Sequence, residues 1–396
     1  MNHRFVFSLI LLTLTTLATA QRRQLQEARV ILKGDKNYDK AEKLMTDLLK
    51  DSSNLGNARI YDMWLLAVEK QYGQLNEKMY KKEEVDTAKL FNLTQRMFMI
   101  GAKLDSIDVM PDKKGRVNPQ YRKDNAEKLM GYRPNLLYGG TYHLRKGDLQ
   151  EAYDFFEQYI GCNNQPMFEG YDLMEKDERM GEAAYWATYC GYRMNNPELT
   201  LRYNTLARRD SAKLENTLQL TAEAWRELDN EKMYVNTIRE GFERYPASVY
   251  FFPRLMDSYA QNGDYEQALE VAEKALKTDS LSTLYMTAKS TMLLNLGRYE
   301  ECLDYTKKLI ANDGLATEGF YNAGTAIINI ALKMDSRKQK RQITKLYQQA
   351  LPYMETYRKL APTEVKKWGE GLYRIYFQLN MGKEFEEIDR LLKIEN

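Results

Sequence analysis

After residue 20, His143 is the sole histidine of this 396-residue chain, and it is the first place to look for general-base chemistry. A histidine base needs a serine or cysteine nucleophile in reach, and neither is placed beside His143 in its helical pattern. A packed, hydrogen-bonded histidine is the expectation. Carboxylates abound, but they mix with lysines as on a solvated helix face and do not stand out as an acid pair. The sequence has no Gly-rich phosphate loop, no H-E-x-x-H and no calcium loop of alternating acids. No catalytic residue, metal or cofactor is therefore expected, and the chain does not read as an enzyme. The three cysteines, Cys162, Cys190 and Cys302, lack the C-x-x-C spacing of zinc or redox motifs. Cys162 ends one helical pattern and Cys190 lies on the next, so a Cys162–Cys190 disulfide could staple the segment between them; the alternative is free thiols.

The first 20 residues, MNHRFVFSLILLTLTTLATA, combine Arg4, an apolar run from Phe5 to Leu17 and the small-residue end Ala18-Thr19-Ala20. That is the pattern of a cleaved secretory signal, with Gln21 as the first mature residue. No later apolar run reaches about 18 residues, so no integral membrane segment is expected after cleavage. Lys plus Arg number 58 and Asp plus Glu 56, a formal charge of +2. Such a balance gives no global pull toward nucleic acid or anionic lipid.

What must position any site is a repeated helical unit. NGDYEQALEVAEKALKTDS, from Asn262, is followed 34 residues later by LGRYEECLDYTKKLIANDG, so that Gly263 meets Gly297, Tyr265 meets Tyr299, Ala268 meets Cys302 and Asp279 meets Asp313. Apolar residues fall at helical spacing and glycine marks the turn, which predicts helix, tight turn, helix. Units starting at Gly181, Glu215, Val249, Thr283 and Thr317 keep the same interval. An earlier unit starts at Arg133, and an insertion near 167–180 follows it. A second insertion is expected near 333–346, around the basic run Arg337, Lys338, Lys340 and Arg341, read as a solvated loop. Trp368 opens the terminal unit. Residues 21–132 are less regular, with a loop near 105–119, whereas 133–396 read as a regular array.

This pattern resembles the tetratricopeptide repeat (TPR), whose period is 34 with Gly then Tyr at the turn. The resemblance implies an all-α, right-handed superhelical solenoid of stacked hairpins, with a concave groove lined mainly by the first helix of each unit. With the leader, the chain looks like an exported bacterial TPR-containing protein. In that family the second, fifth, ninth, twelfth and thirteenth residues of a unit face the groove, which here gives Glu182, Tyr185, Tyr189, Tyr192 and Arg193. Arg145 and Arg226 flank them from the neighbouring units. Such an aromatic floor with cationic walls suits an extended peptide or a sugar chain; the other reading is that the tyrosines pack against a neighbour. Tyr185 and Tyr189 also replace the Lys and Asn by which some family members clamp acidic chaperone tails.

Asp-Thr-Ala at Asp86, Asp-Ser-Ile at Asp105, Asp-Ser-Ala at Asp210 and Asp-Ser-Leu at Asp279 resemble an O-glycosylation signal of exported proteins in one group of Gram-negative bacteria. The acceptors would be Thr87, Ser106, Ser211 and Ser280, the last three expected in loops or turns. The resulting expectation is a non-catalytic exported scaffold or adaptor that binds a protein or peptide in its groove. It would be periplasmic or cell-envelope associated in a Gram-negative bacterium and serve an envelope assembly or secretion system. The alternative is a glycan-binding accessory protein of the cell envelope.

Overall fold

The structure is a computed structural model that describes residues 21–34, 36–112 and 114–395; the expected signal segment, 1–20, lies outside them. The described residues form an all-α helical repeat without strands. Residues 21–33 make α1, followed by α2 (Tyr38–Leu48), α3 (Ala58–Tyr80), α4 (Thr87–Asp108), α5 (Arg122–Tyr132), α6 (Pro134–Lys146) and α7 (Leu149–Gly161). Next come the one-turn α8 (Leu173–Lys176), then α9 (Met180–Arg193), the short pair α10 (Pro197–Arg202) and α11 (Asn204–Ala207), and α12 (Leu214–Glu227). The remainder is α13 (Glu231–Arg244), α14 (Phe251–Gln261), α15 (Tyr265–Thr278), α16 (Thr283–Asn295), α17 (Tyr299–Asn312), α18 (Thr317–Leu332), α19 (Lys340–Leu360), α20 (Val365–Gln378) and α21 (Gly382–Glu395).

The chain divides into two compact units between Asp229 and Asn230. The division falls inside the Glu215 repeat and does not follow the change from irregular to regular repeats read in the sequence at 132/133. In the first unit α6 packs on α7, α7 on α9, and α9 on α10, α11 and α12; in the second each helix from α13 to α21 packs on the next. The apolar stripe of α7 shows why: Ala152, Tyr153, Phe155, Phe156, Tyr159 and Ile160 are all buried, at the spacing of one helix face. Each large side chain so removed from water contributes about 1.5–3 kcal/mol. No hairpin could bury that stripe alone, so the helices stack.

In the five units that start at Arg133, Gly181, Glu215, Val249 and Thr283 the fifteenth residue makes the turn, whereas in the Thr317 unit it is Ala331, inside α18. Gly147, Gly263 and Gly297 have φ of 86°, 74° and 71°, and at the same place in the two of these five that lack glycine Asn195 and Asp229 both have φ of 52°. A side chain there meets the following carbonyl, and Asn and Asp are the residues that tolerate it best. The repeat frame is therefore kept by backbone conformation even where the glycine is lost.

Two expected loops are shorter than the sequence suggested. Helix α4 continues through 105–108, and the carboxylate of Asp108 accepts the backbone N–H groups of Gln120, Tyr121 and Arg122 at 2.9, 2.7 and 3.0 Å, closing the connection to α5. The second half of the expected insertion at 333–346 is helix: α19 starts at Lys340, so Lys340 and Arg341 lie on it and only Arg337 and Lys338 of the basic run remain in the loop. Among the described residues no helix is long and apolar enough to cross a membrane.

Candidate functional site

Helix α9 carries the aromatic face, and its position is set from both ends. At its start, Asp177 accepts from the guanidinium of Arg133 at 2.6 Å and from the phenol of Tyr159 at 2.7 Å, while Arg133 lies 3.7 Å over the Tyr159 ring and donates to the Tyr159 carbonyl at 3.1 Å. Arg133 is buried, so this cluster ties the segment preceding α9 to the α6–α7 hairpin. Burial alone would raise the Asp177 carboxyl, but hydrogen bonds from Tyr159, Arg133 and the Arg179 backbone hold it below the usual carboxylate range. At the other end Gly191 faces α10, where a Cβ would stand 2.5 Å from the Thr200 nitrogen. That backbone approach fixes which side of α9 is covered.

The opposite side presents Tyr185, Trp186, Tyr189, Tyr192 and Arg193. Tyr185 and Trp186 meet edge to face at 4.9 Å, Trp186 and Tyr189 at 5.8 Å, and Tyr185 and Tyr189 stack at 6.5 Å. Such pairs add about 0.5–1.5 kcal/mol each beyond their buried area. Arg193 donates to the Tyr189 hydroxyl at 2.7 Å, and Lys213, held by Asp210 at 2.8 Å, sits 5.5 Å from the Tyr185 ring and 5.9 Å from Trp186. The cluster is thus aromatic with two cations already oriented.

Several sequence expectations change here. Tyr185 is not an open groove floor: it is only 6% exposed and belongs to the core of the first unit, and burial raises its phenol against a hydrogen bond from Asn216. Tyr189 is half-buried, and Tyr192 and Arg193 are exposed. Arg145 is exposed on α6 without an ion pair among the described residues, and Arg226 pairs with Glu223 on its own helix; neither is joined to the tyrosines. The Cys162–Cys190 disulfide is absent. Both thiols are free and buried, Cys162 donates to the Gln158 carbonyl at 3.3 Å, and burial pushes Cys162, Cys190 and Cys302 up to about 12. His143 is buried, stacked on Phe155 at 5.4 Å with Nδ1 3.3 Å from Asp148.

Of the proposed glycan acceptors, Ser211 and Ser280 are exposed in a 3-10 turn and a turn, and Thr87 is half-buried as the first residue of α4. Ser106, expected in a loop, is instead inside α4 with its hydroxyl donating to the Lys103 carbonyl at 2.7 Å. The neighbouring Asp105 is committed to Arg122 at 2.6 Å.

Trp186 was missed from sequence because the groove positions carried over skip the sixth residue of a unit, and Lys213 because it lies in the 3-10 turn before the next unit. The signal was the residue type itself, since tryptophan is enriched where binding energy concentrates. The same sixth place in the preceding unit holds Tyr138, half-exposed, with Arg179 5.5 Å over its ring and Arg179 donating to Glu182 at 3.0 Å. Tyr138 on α6 and Trp186 on α9 therefore share one position in the repeat.

No family model and no curated protein matches this chain. Solved structures that resemble it include the C-terminal part of a TPR repeat-containing protein from Cytophaga hutchinsonii, 10% identical over 64% of this chain and 92% of that one, with a TM-score of 0.42. The TPR domain of P58(IPK) is 12% identical with a TM-score of 0.26, covering 91% and 99% of the two chains. The TPR2AB-domain:pHSP90 complex of yeast Sti1 is 11% identical with a TM-score of 0.24, covering 63% and 98%.

Proposed function

We propose that this chain is a non-catalytic scaffold or adaptor that binds a protein or peptide through the exposed side of α9. The observation that carries the reading is the arrangement of Trp186, Tyr189, Tyr192 and Arg193: partly exposed rings at helical spacing with a cation held 2.7 Å from the Tyr189 hydroxyl. Rings locked by their neighbours lose little entropy on binding, and arginine can grip a carboxylate or a backbone carbonyl. The non-catalytic part is supported by the state of the reactive groups. A thiol held near 12 is not a nucleophile at neutral pH, and His143 is used in packing.

The leader pattern in residues 1–20 supports export, with action in the periplasm or cell envelope of a Gram-negative bacterium as part of an envelope assembly or secretion system. Affinity capture from envelope extract tests the reading. Wild-type chain should enrich a polypeptide that the triple variant Trp186→Ala, Tyr189→Ala, Arg193→Ala no longer retains, with unchanged helicity. Retention on polysaccharide alone would replace the peptide by a glycan.

A further inference from the structure

A cleft between α3 and α4 lies in the irregular first third of the chain, apart from the α9 face. Its volume is about 260 Å³, and Tyr61, Trp64, Arg96, Met99, Ile100 and Lys103 line it. Drug-sized sites run from about 300 to 1,000 Å³, so this one has the scale of a bulky side chain and not of a cofactor. Four of the six lining residues come from the second helix of the hairpin, away from the first-helix positions that the repeat resemblance assigns to a groove.

The walls are rigid for a stated reason. Glu42 of α2 accepts the Trp64 indole N–H at 2.9 Å and the Gln71 amide at 2.7 Å, and it is ion-paired to Arg96. One carboxylate with three donors fixes the indole, and Tyr61 backs it at 6.2 Å between ring centroids. Met99, 61% exposed, forms a flexible lip of the kind that adapts to an incoming side chain. The polar members at the rim are both cations. Glu42 occupies part of the five-donor Arg96 fork, and Lys103 is exposed with no carboxylate partner among the described residues.

We infer that this cleft is a docking pocket for one bulky apolar side chain of a linear peptide that carries a carboxylate beside it, the ring or alkyl group entering between Trp64 and Met99 and the carboxylate meeting Lys103 and Arg96. The charge chooses the occupant: an apolar cleft with two cations at its edge and its nearest anion saturated favours an acidic segment over a basic or neutral one. The inference does not depend on the α9 face, and its test separates the two.

Full-length chain is titrated with a fluorescein-labelled Gly/Ser dodecapeptide bearing a central Phe-Asp-Asp, and with the same peptide bearing Phe-Asn-Asn or Ala-Asp-Asp, read by anisotropy at low salt. The expected result is at least tenfold tighter binding of Phe-Asp-Asp than of either control. Lys103→Glu and Met99→Asp, both surface changes checked by circular dichroism, should each weaken it at least tenfold, whereas the Trp186/Tyr189/Arg193 triple variant binds as wild type. No binding by wild type, no preference among the three peptides, or loss only in the α9 variant overturns the pocket.

Discussion

Replacing Tyr185 by Ala removes a buried ring that touches Trp186 and Tyr189, so it should cost about 3–5 kcal/mol in urea unfolding, the range for large aromatic truncations. Tyr189→Ala, one turn on and half-buried, should cost clearly less and act on binding instead. Equal losses would remove the distinction between core and surface on α9. The buried thiols give a second outcome: a disulfide-exchange reagent should leave the folded chain unmodified and titrate three thiols in denaturant. Asp177 gives a third. Its folded carboxyl lies below the unfolded value of about 3.9, so its stabilisation is fully present above that pH and is lost as pH falls through the lower folded value. Arg133→Ala, which leaves that carboxylate without its partner, should cost about 3–5 kcal/mol at neutral pH. The stability gap between wild type and Asp177→Asn should shrink from pH 5 toward pH 2. A gap that grows on acidification would mean that Asp177 is not held as an anion.

The hairpins were legible because two local rules repeat: apolar residues at helical spacing and a turn residue at the fifteenth place. Asn195 and Asp229 are the instructive positions, since no glycine marks them and the backbone still turns left-handed there. Asn195→Val should therefore cost about 1–2 kcal/mol, while Asn195→Gly should be neutral or stabilising; thermal melts of the two variants decide it. The same local rules could not separate Tyr185 from Tyr189, because which face of α9 is covered depends on α10 reaching Gly191 and on the turn before α12 carrying Lys213. The helix over 340–346 was signalled by Ile343, Leu346 and Tyr347 at helical spacing, but the basic run at its start was read as a loop. The α3–α4 cleft was half legible. Tyr61 and Trp64, three residues apart, share a helix face on the sequence, but the setting of Trp64 against Arg96 rests on Glu42, from a third helix.

Across the whole molecule, charge balance and repeat architecture leave function to a few side chains, since a repeat fold presents surface without specifying a ligand. The candidate binding residues both lie in the first unit, on α9 and between α3 and α4, whereas the most regular repeats, α14 to α17, belong to the second. Regularity here goes with structural duty. The central claim is that the exposed side of α9 contacts a polypeptide, and site-specific photo-crosslinking in the native host tests it most directly. With a benzophenone side chain at Tyr192, next to Trp186 and Tyr189 on α9, the account predicts a discrete polypeptide adduct; at Glu151, exposed on α7, it predicts none. Equal labelling at the two positions, or no polypeptide adduct at Tyr192, would contradict it.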